Sequence, residues 1–344
     1  MFAGNRALIQ GEPGPIIGPL SSFFGVILDF LYNFAYTITP TEAHTLGISI
    51  IFLTIVARIL IFPLTYKSQK SMQAMRQLQP EMEKIKKKYE NKKDPESQKK
   101  MGQEINRLYL DNKASPIMGC LPVLPQFPIL MSLFFIMNQP YRFINRLGEL
   151  YKELAEGIIS ILNIDALGYP QNMEVFTSLQ NLANGRLPDD GSMQLDLGVA
   201  EDLRKLLARL NPDEWRALLS GISPEDLAQI QPMLNYKDSI ETFLGISLVE
   251  NVSFTFPAIL IPIACVVFTF LSSYMMQKNQ GKAKDQAAKM QQNMMLVVMP
   301  AMMGFITFGM PAGLGLYWAV GSVIQIAQQH FMGKQFNKPE VEVV

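Results

Sequence analysis

HTLGISIIFLTIVARILIFPLTYKS, residues His44 to Ser68, is apolar enough to cross a bilayer and carries one arginine near its middle. From Thr45 to Tyr66 there are 22 residues, and Arg58 is their only charge. A hydrocarbon core takes roughly 20 apolar residues as helix. Arg58 precedes Tyr66 by eight residues, about 12 Å at the helical rise. Inserting Arg mid-membrane costs roughly 2.5–3.5 kcal/mol, so water, a carboxylate or a headgroup must receive the guanidinium. Thr54, Arg58 and Thr65 are spaced by four and seven and therefore share one helix face. That face reads as turned toward a wet interior. The plainer alternative is an arginine that snorkels its stem to the headgroups, but an intramembrane ionisable residue is by default a functional one.

The rest of the composition agrees with a membrane protein. Of 344 residues 49% are hydrophobic and only 17% charged, below the usual quarter for soluble chains, and the apolar residues come in blocks. Cys120 and Cys265 both sit inside apolar runs, so neither a disulfide framework nor a metal knuckle is on offer. His44 and His330 lie at the ends of apolar runs near opposite ends of the chain, and no Ser/His/Asp arrangement suggests itself. Neither a cofactor nor an enzyme activity is expected.

Working outward, residues 1–18 lack a basic n-region with an A-x-A-like site, so a cleaved signal peptide is not expected. Pro19 to Ile38 is aromatic-rich and holds Asp29. It suits a helix along the interface better than a span, and is the main feature of a segment 1–43 that precedes the first span, 44–66. Lys67 to Ser115 reads as a helical hairpin, with Met72, Met75, Leu78, Met82, Ile85 and Tyr89 recurring at three and four. Asp94 and Pro95 make its turn. A second span, 116–138, contains Gln126 and the prolines Pro116, Pro122, Pro125 and Pro128; each interior proline frees a carbonyl that neighbours or water must satisfy. Residues 139–253 form an acidic insertion, in which NPDEWRALLSG and SPEDLAQIQPML begin as helices do. Apolar runs 254–276, 293–310 and 314–332 supply three more spans, joined by a linker 277–292 and a PAG turn, and a tail 333–344 closes the chain.

Charge sets the expected orientation. The hairpin has 13 Lys/Arg against 7 Asp/Glu, the linker 4 against 1, and the insertion 9 against 17. Short basic loops stay in the cytoplasm, which with five spans puts the N terminus and the insertion outside and the C terminus inside.

Arg58 has polar company. Trp318, Ser322, Gln325 and Gln329 are spaced four, three and four, and Thr269, Ser272 and Ser273 lie in the third span. Ordinary helix-to-helix hydrogen bonding explains any one of them; several spans contributing together favour a shared hydrated groove. No acid within the spans is an obvious counter-ion for Arg58, and Asp29 is the candidate nearby in sequence. The 21 methionines fill cores or provide a surface that accepts many apolar partners. A transporter or channel also needs polar groups at membrane depth, but neither an inverted repeat nor intramembrane acids for coupling ions are visible. There is no P-loop.

The arginine followed by FPLT (Arg58, Phe62 to Thr65), KSQKSMQAMRQLQPEMEKIKKKY, GCLPVLPQFPIL (Gly119 to Leu130), FLGISL and PAGLGLYW (Pro311 to Trp318) occur in the order found in one family. On these motifs the chain resembles the YidC/Oxa/Alb membrane protein insertases, in particular their five-span Gram-positive form. The resemblance implies an all-α polytopic membrane protein of the bacterial plasma membrane, with five transmembrane helices around a hydrophilic groove, a cytoplasmic helical hairpin and an extracytoplasmic helical insertion. It makes Arg58 the groove arginine and puts Gln126 and Trp318 in groove-lining motifs; with Thr54, Thr65, Ser322 and Gln325 they form the expected client-binding groove. It implies nascent membrane proteins and lipids as partners, with the ribosome, signal recognition particle components and the SecY translocon as further ones, and no specific nucleic acid. Residues 165–240 depart from the family's usually short loop, and the lipidated signal of Gram-positive relatives is missing.

Overall fold

The computed structural model describes residues 15, 17–39, 43–92, 94–112, 123–165, 169–184, 196–280 and 286–336. Most of them are helical. The expected features at residues 1–14, Pro116, Pro122 and Cys120, and most of the tail lie outside the described residues. Two compact units emerge, one of Met1–Leu53, Ile129–Ile263 and Phe305–Tyr317, the other of Thr54–Pro128, Ala264–Gly304 and Trp318–Val344.

In the first unit, α1 (Ile17–Ile38) buries Phe24, Leu28, Tyr32 and Ala35 and leaves Phe23, Val26, Phe30 and Phe34 uncovered. Its polar side is tied to α7 (Asn145–Leu162). The Asp29 carboxylate accepts from the backbone N–H and the side-chain Nδ2 of Asn145, both at 2.9 Å. It thereby satisfies orphan donors at the start of α7. The Arg146 guanidinium lies 3.7 Å from the Tyr36 ring centre and donates to Asn33. Asp29 is thus engaged by Asn145, 116 residues away in sequence.

The insertion packs around α7, whose stripe Leu147, Leu150, Tyr151, Leu154, Ile158 and Leu162 is buried. Against it come α8 (Met173–Asn184), α9 (Ala200–Leu207) and α11 (Pro224–Glu241), while α10 (Pro212–Ser220) packs on α8. Asn211 opens α10 with a reciprocal capping box to Glu214, and Ser223 caps α11, each satisfying donors the helix start leaves orphaned. One polar group set is sealed inside. Tyr151 donates to Glu241 at 2.6 Å, Lys237 pairs with Glu241 at 3.0 Å, and the Lys237 ammonium stands 5.3 Å from the Trp215 ring centre. Burial, followed by the Glu241 charge, raises the Tyr151 phenol well above its ordinary value. For Lys237, burial is the largest influence and lowers the value, but the Glu241 carboxylate outweighs it and the net shift is upward. After α11 a hairpin of β1 (Thr242–Phe243) and β2 (Ile246–Ser247) breaks the helical run, a feature absent from the sequence reading.

The helix α2 (Thr45–Gln77) passes from the first unit into the second and continues unbroken past Tyr66 to Gln77. Apart from Ser68 and Ser71, the residues from Lys67 to Gln77 are Lys, Gln, Met, Ala and Arg, all good helix formers. The break falls at Leu78, with Pro80 at the start of α3 (Gln79–Tyr89). α3 and α4 (Pro95–Asp111) form the hairpin, joined by Lys88 to Glu104 at 2.8 Å and by the Tyr109 hydroxyl on the Met82 sulfur at 2.8 Å. Asp94 caps α4 by accepting from Ser97 N.

The remaining helices are α5 (Val123–Asn138), with the one-turn α6 (Pro140–Phe143) after it, α12 (Leu260–Gln280), the polar α13 (Gln286–Asn293), α14 (Met299–Thr307) and α15 (Ala312–Phe336). Between α13 and α14 a π-helical turn runs over Met294–Val298. Met299 N reaches Met294 O there, and Pro300 follows at once, whose ring would clash with the Leu296 carbonyl in a regular α-turn. Among the described residues three helical stretches are long and apolar enough to cross a membrane, Ile17–Ile38, Thr45–Met75 and Leu260–Lys278, with shorter apolar helices at Gln126–Asn138 and Met294–Thr307. This is an all-α membrane protein.

Candidate functional site

Several polar residues of the apolar helices meet in the second unit. Arg58 is half-buried on α2. Its guanidinium lies against the backbone of Gly321 on α15: a β-carbon there would stand 2.6 Å from Nη2, 3.0 Å from Nε and 3.2 Å from Cζ. Small residues let helices approach this closely in a membrane, and here the space released is filled by a cation. Ala57, next to Arg58, and Thr54, one turn earlier, are buried.

The residue after Gly321 continues the polar strip. The hydroxyls of Ser322 and Thr269 lie 3.3 Å apart, and Trp318 Nε1 donates to Thr269 Oγ1 at 3.3 Å. Two turns further, Gln329 Nε2 donates to Ser272 at 3.5 Å. Thr269, Ser272, Ser273, Ser322 and Gln329 are all buried. The four-three-four spacing on α15 therefore meets a matching stripe on α12, which satisfies groups that hydrocarbon could not.

Three of the residues singled out in sequence, Arg58, Trp318 and Ser322, thus converge on one stretch of α15. The hydroxyl of Thr65 donates to Ile61 O, 3.2 Å away in its own helix, which directs it back along α2. Gln126 on α5 and Gln325 on α15 are half-buried. The sequence reading missed Gly321, whose only sequence signal is a glycine one position before the polar stripe's Ser322. It also named Thr269, Ser272 and Gln329 without assigning them to the site.

Uncovered apolar side chains flank the strip: Val267, Phe270, Leu271 and Tyr274 on α12, and Val323 and Phe331 on α15. Among the described residues no cluster of three or more His, Cys, Asp or Glu could hold a metal. The arrangement sets a cation beside a buried, mutually bonded strip of hydroxyl, indole and amide groups, with apolar faces at its flanks.

The sequence profile of the 60Kd inner membrane protein family matches residues 38–189 and 222–339. A membrane protein insertase YidC of Clostridium perfringens is 27% identical over 322 residues, 92% of this chain and 91% of that protein. The YidC insertase of Fusobacterium nucleatum is 28% identical over 92% of this chain and 99% of its own length. One from Listeria monocytogenes is 26% identical across the whole of this chain and 85% of its own.

Proposed function

The chain belongs to the 60Kd inner membrane protein family, that of the YidC/Oxa insertases, and from that premise we propose that it guides nascent membrane proteins into the bilayer through a hydrated groove centred on Arg58. The observation that carries this reading is the seat of Arg58 on Gly321 beside the Trp318, Thr269 and Ser322 cluster. A guanidinium at membrane depth costs roughly 2.5–3.5 kcal/mol unless polar surroundings receive it, and the half-buried state of Arg58 supports a wet environment on the side that the strip does not cover.

Water in the groove shortens the apolar distance that a client's polar segment must cross. Arg58 draws an acidic client tail inward. The client's apolar helix then leaves sideways along the exposed faces of α12 and α15, driven by its own partition energy of about 0.3–0.6 kcal/mol per Leu, Ile, Phe or Val. Thr54, Thr65, Gln126, Trp318, Ser322 and Gln325 line the path. The basic segments 67–115 and 277–292 lie in the cytoplasm, with the acidic insertion and N terminus on the other face of the plasma membrane and α1 along its surface. The hairpin's positive charge suits the ribosome, signal recognition particle components or anionic headgroups, and the insertase works alone or with SecY.

Depletion followed by proteomics of the membrane fraction tests the function. Selective loss of small one- or two-span membrane proteins supports an insertase. Loss of one solute flux with those proteins intact would make the chain a transporter.

A further inference from the structure

We propose that the hairpin tip at Leu244, with Phe254 and Phe256 beside it, is an anchor seated among lipid headgroups and upper acyl carbons at the end of the membrane spans. Leu244, Phe254 and Phe256 are 71%, 78% and 81% exposed. They form one patch. A β-carbon on Gly245 would lie 3.6 Å from Pro257 Cγ, which sets the tip beside the Phe256 segment. Phe254 stacks on Phe308 with ring centres 4.2 Å apart. The apolar surface continues into Leu260 and Ile263, both exposed on the first turn of α12.

The turn itself points to a role for that leucine. β1 and β2 are joined by Leu244 and Gly245 alone, with φ of 51° and 80°. A two-residue turn with both φ positive takes Asn-Gly or Gly-Gly, and a bulky side chain there is a genuine outlier. Strain of this kind persists where function maintains it, and the strained residue points its apolar side chain outward.

The patch is held at a defined level. His44 Nδ1 lies 2.9 Å from Thr242 O, and Phe243 packs against Gly47 at the start of α2. Gly313 N donates to Leu248 O and Ala312 N to Glu250 O, each at 2.8 Å, at the start of α15. A hairpin fastened to the first residues of α2 and α15, and followed by α12, sits where hydrocarbon gives way to headgroups. Aromatic side chains favour that layer. Continuity with the apolar flank of α12 makes lipid, and not a soluble partner, the occupant.

The test uses the full chain in phosphatidylcholine/phosphatidylglycerol vesicles. Leu244→Cys, Phe256→Cys and, as a solution control on the insertion, Tyr169→Cys are made in a Cys120→Ala/Cys265→Ala background and nitroxide-labelled. Power saturation should find oxygen the dominant collider at 244 and 256 and a water-soluble nickel chelate at 169. In the unsubstituted protein, a phosphatidylcholine with a diazirine near its glycerol end should label the 242–258 peptide. Nickel dominance at 244 and 256, exclusion of both colliders there, or labelling of α12 without the 242–258 peptide would overturn the proposal. None of these readouts depends on insertase activity or on Arg58.

Discussion

The guanidinium of Arg58 rests on the backbone of Gly321 so closely that a β-carbon at Gly321 would stand 2.6 Å from Nη2. The cation's position is therefore set by what α15 lacks at that point. Gly321→Ala should displace the guanidinium and Gly321→Val should expel it. We expect the valine variant to lower client insertion at least about ten-fold, equivalent to about 1.4 kcal/mol, with normal accumulation in the membrane. Gly102→Ala on α4, where nothing stands within 4 Å, is the matched control and should be neutral. A reconstituted insertion assay reads both.

Thr269 joins α12 to α15 by meeting Trp318 and Ser322 together. Thr269→Val removes both contacts while keeping the shape of the side chain. Interhelical hydrogen bonds in membranes average about 0.6 kcal/mol, so unfolding in detergent should show a loss of about 1 kcal/mol. Trp318→Phe added to Thr269→Val should cost less than the sum of the single changes, because the two share a bond.

In the insertion, Lys237 is the cation beside the buried Glu241. Lys237→Met leaves that carboxylate without its cation and should cost about 3–5 kcal/mol, whereas Lys237→Met/Glu241→Leu should recover most of the loss. Denaturant unfolding followed by Trp215 fluorescence checks both. The Lys237 value is raised on folding, so its stabilisation is fully present below the ordinary lysine value and fades only as pH climbs through the raised one.

The hairpin behaves in the opposite sense. The Lys88 contact holds the Glu104 carboxyl below its ordinary value, and Ser97 does the same for Asp94. Their stabilisation is present above the ordinary carboxylate range and is lost as pH falls through the depressed values. Spin-label distances between α3 and α4 should therefore broaden on acidification toward about pH 3, and Glu104→Gln should broaden them at neutral pH.

Much of this architecture was legible in the sequence. Block hydropathy and one buried charge marked the α2 span, and helical spacing picked out Trp318 and Ser322. What escaped depended on three-dimensional neighbours. Asp29 accepts from Asn145 at the start of α7, a contact that no local pattern announces. Gly321 carries no polar group, so a search for chemistry passed over it. The run of α2 to Gln77 reflects helix formers that continue until Pro80 interrupts, and the π-turn lies just before Pro300.

The central claim is that Arg58 works as a solvated cation for the client. Its most direct test is the insertion rate of a single-span client with an acidic or a neutral translocated tail, in vesicles holding wild type, Arg58→Lys or Arg58→Ala. The account predicts that lysine largely retains insertion of the acidic client and alanine impairs it, with a smaller effect on the neutral one. Equal insertion of the acidic client by the alanine variant and wild type would contradict it.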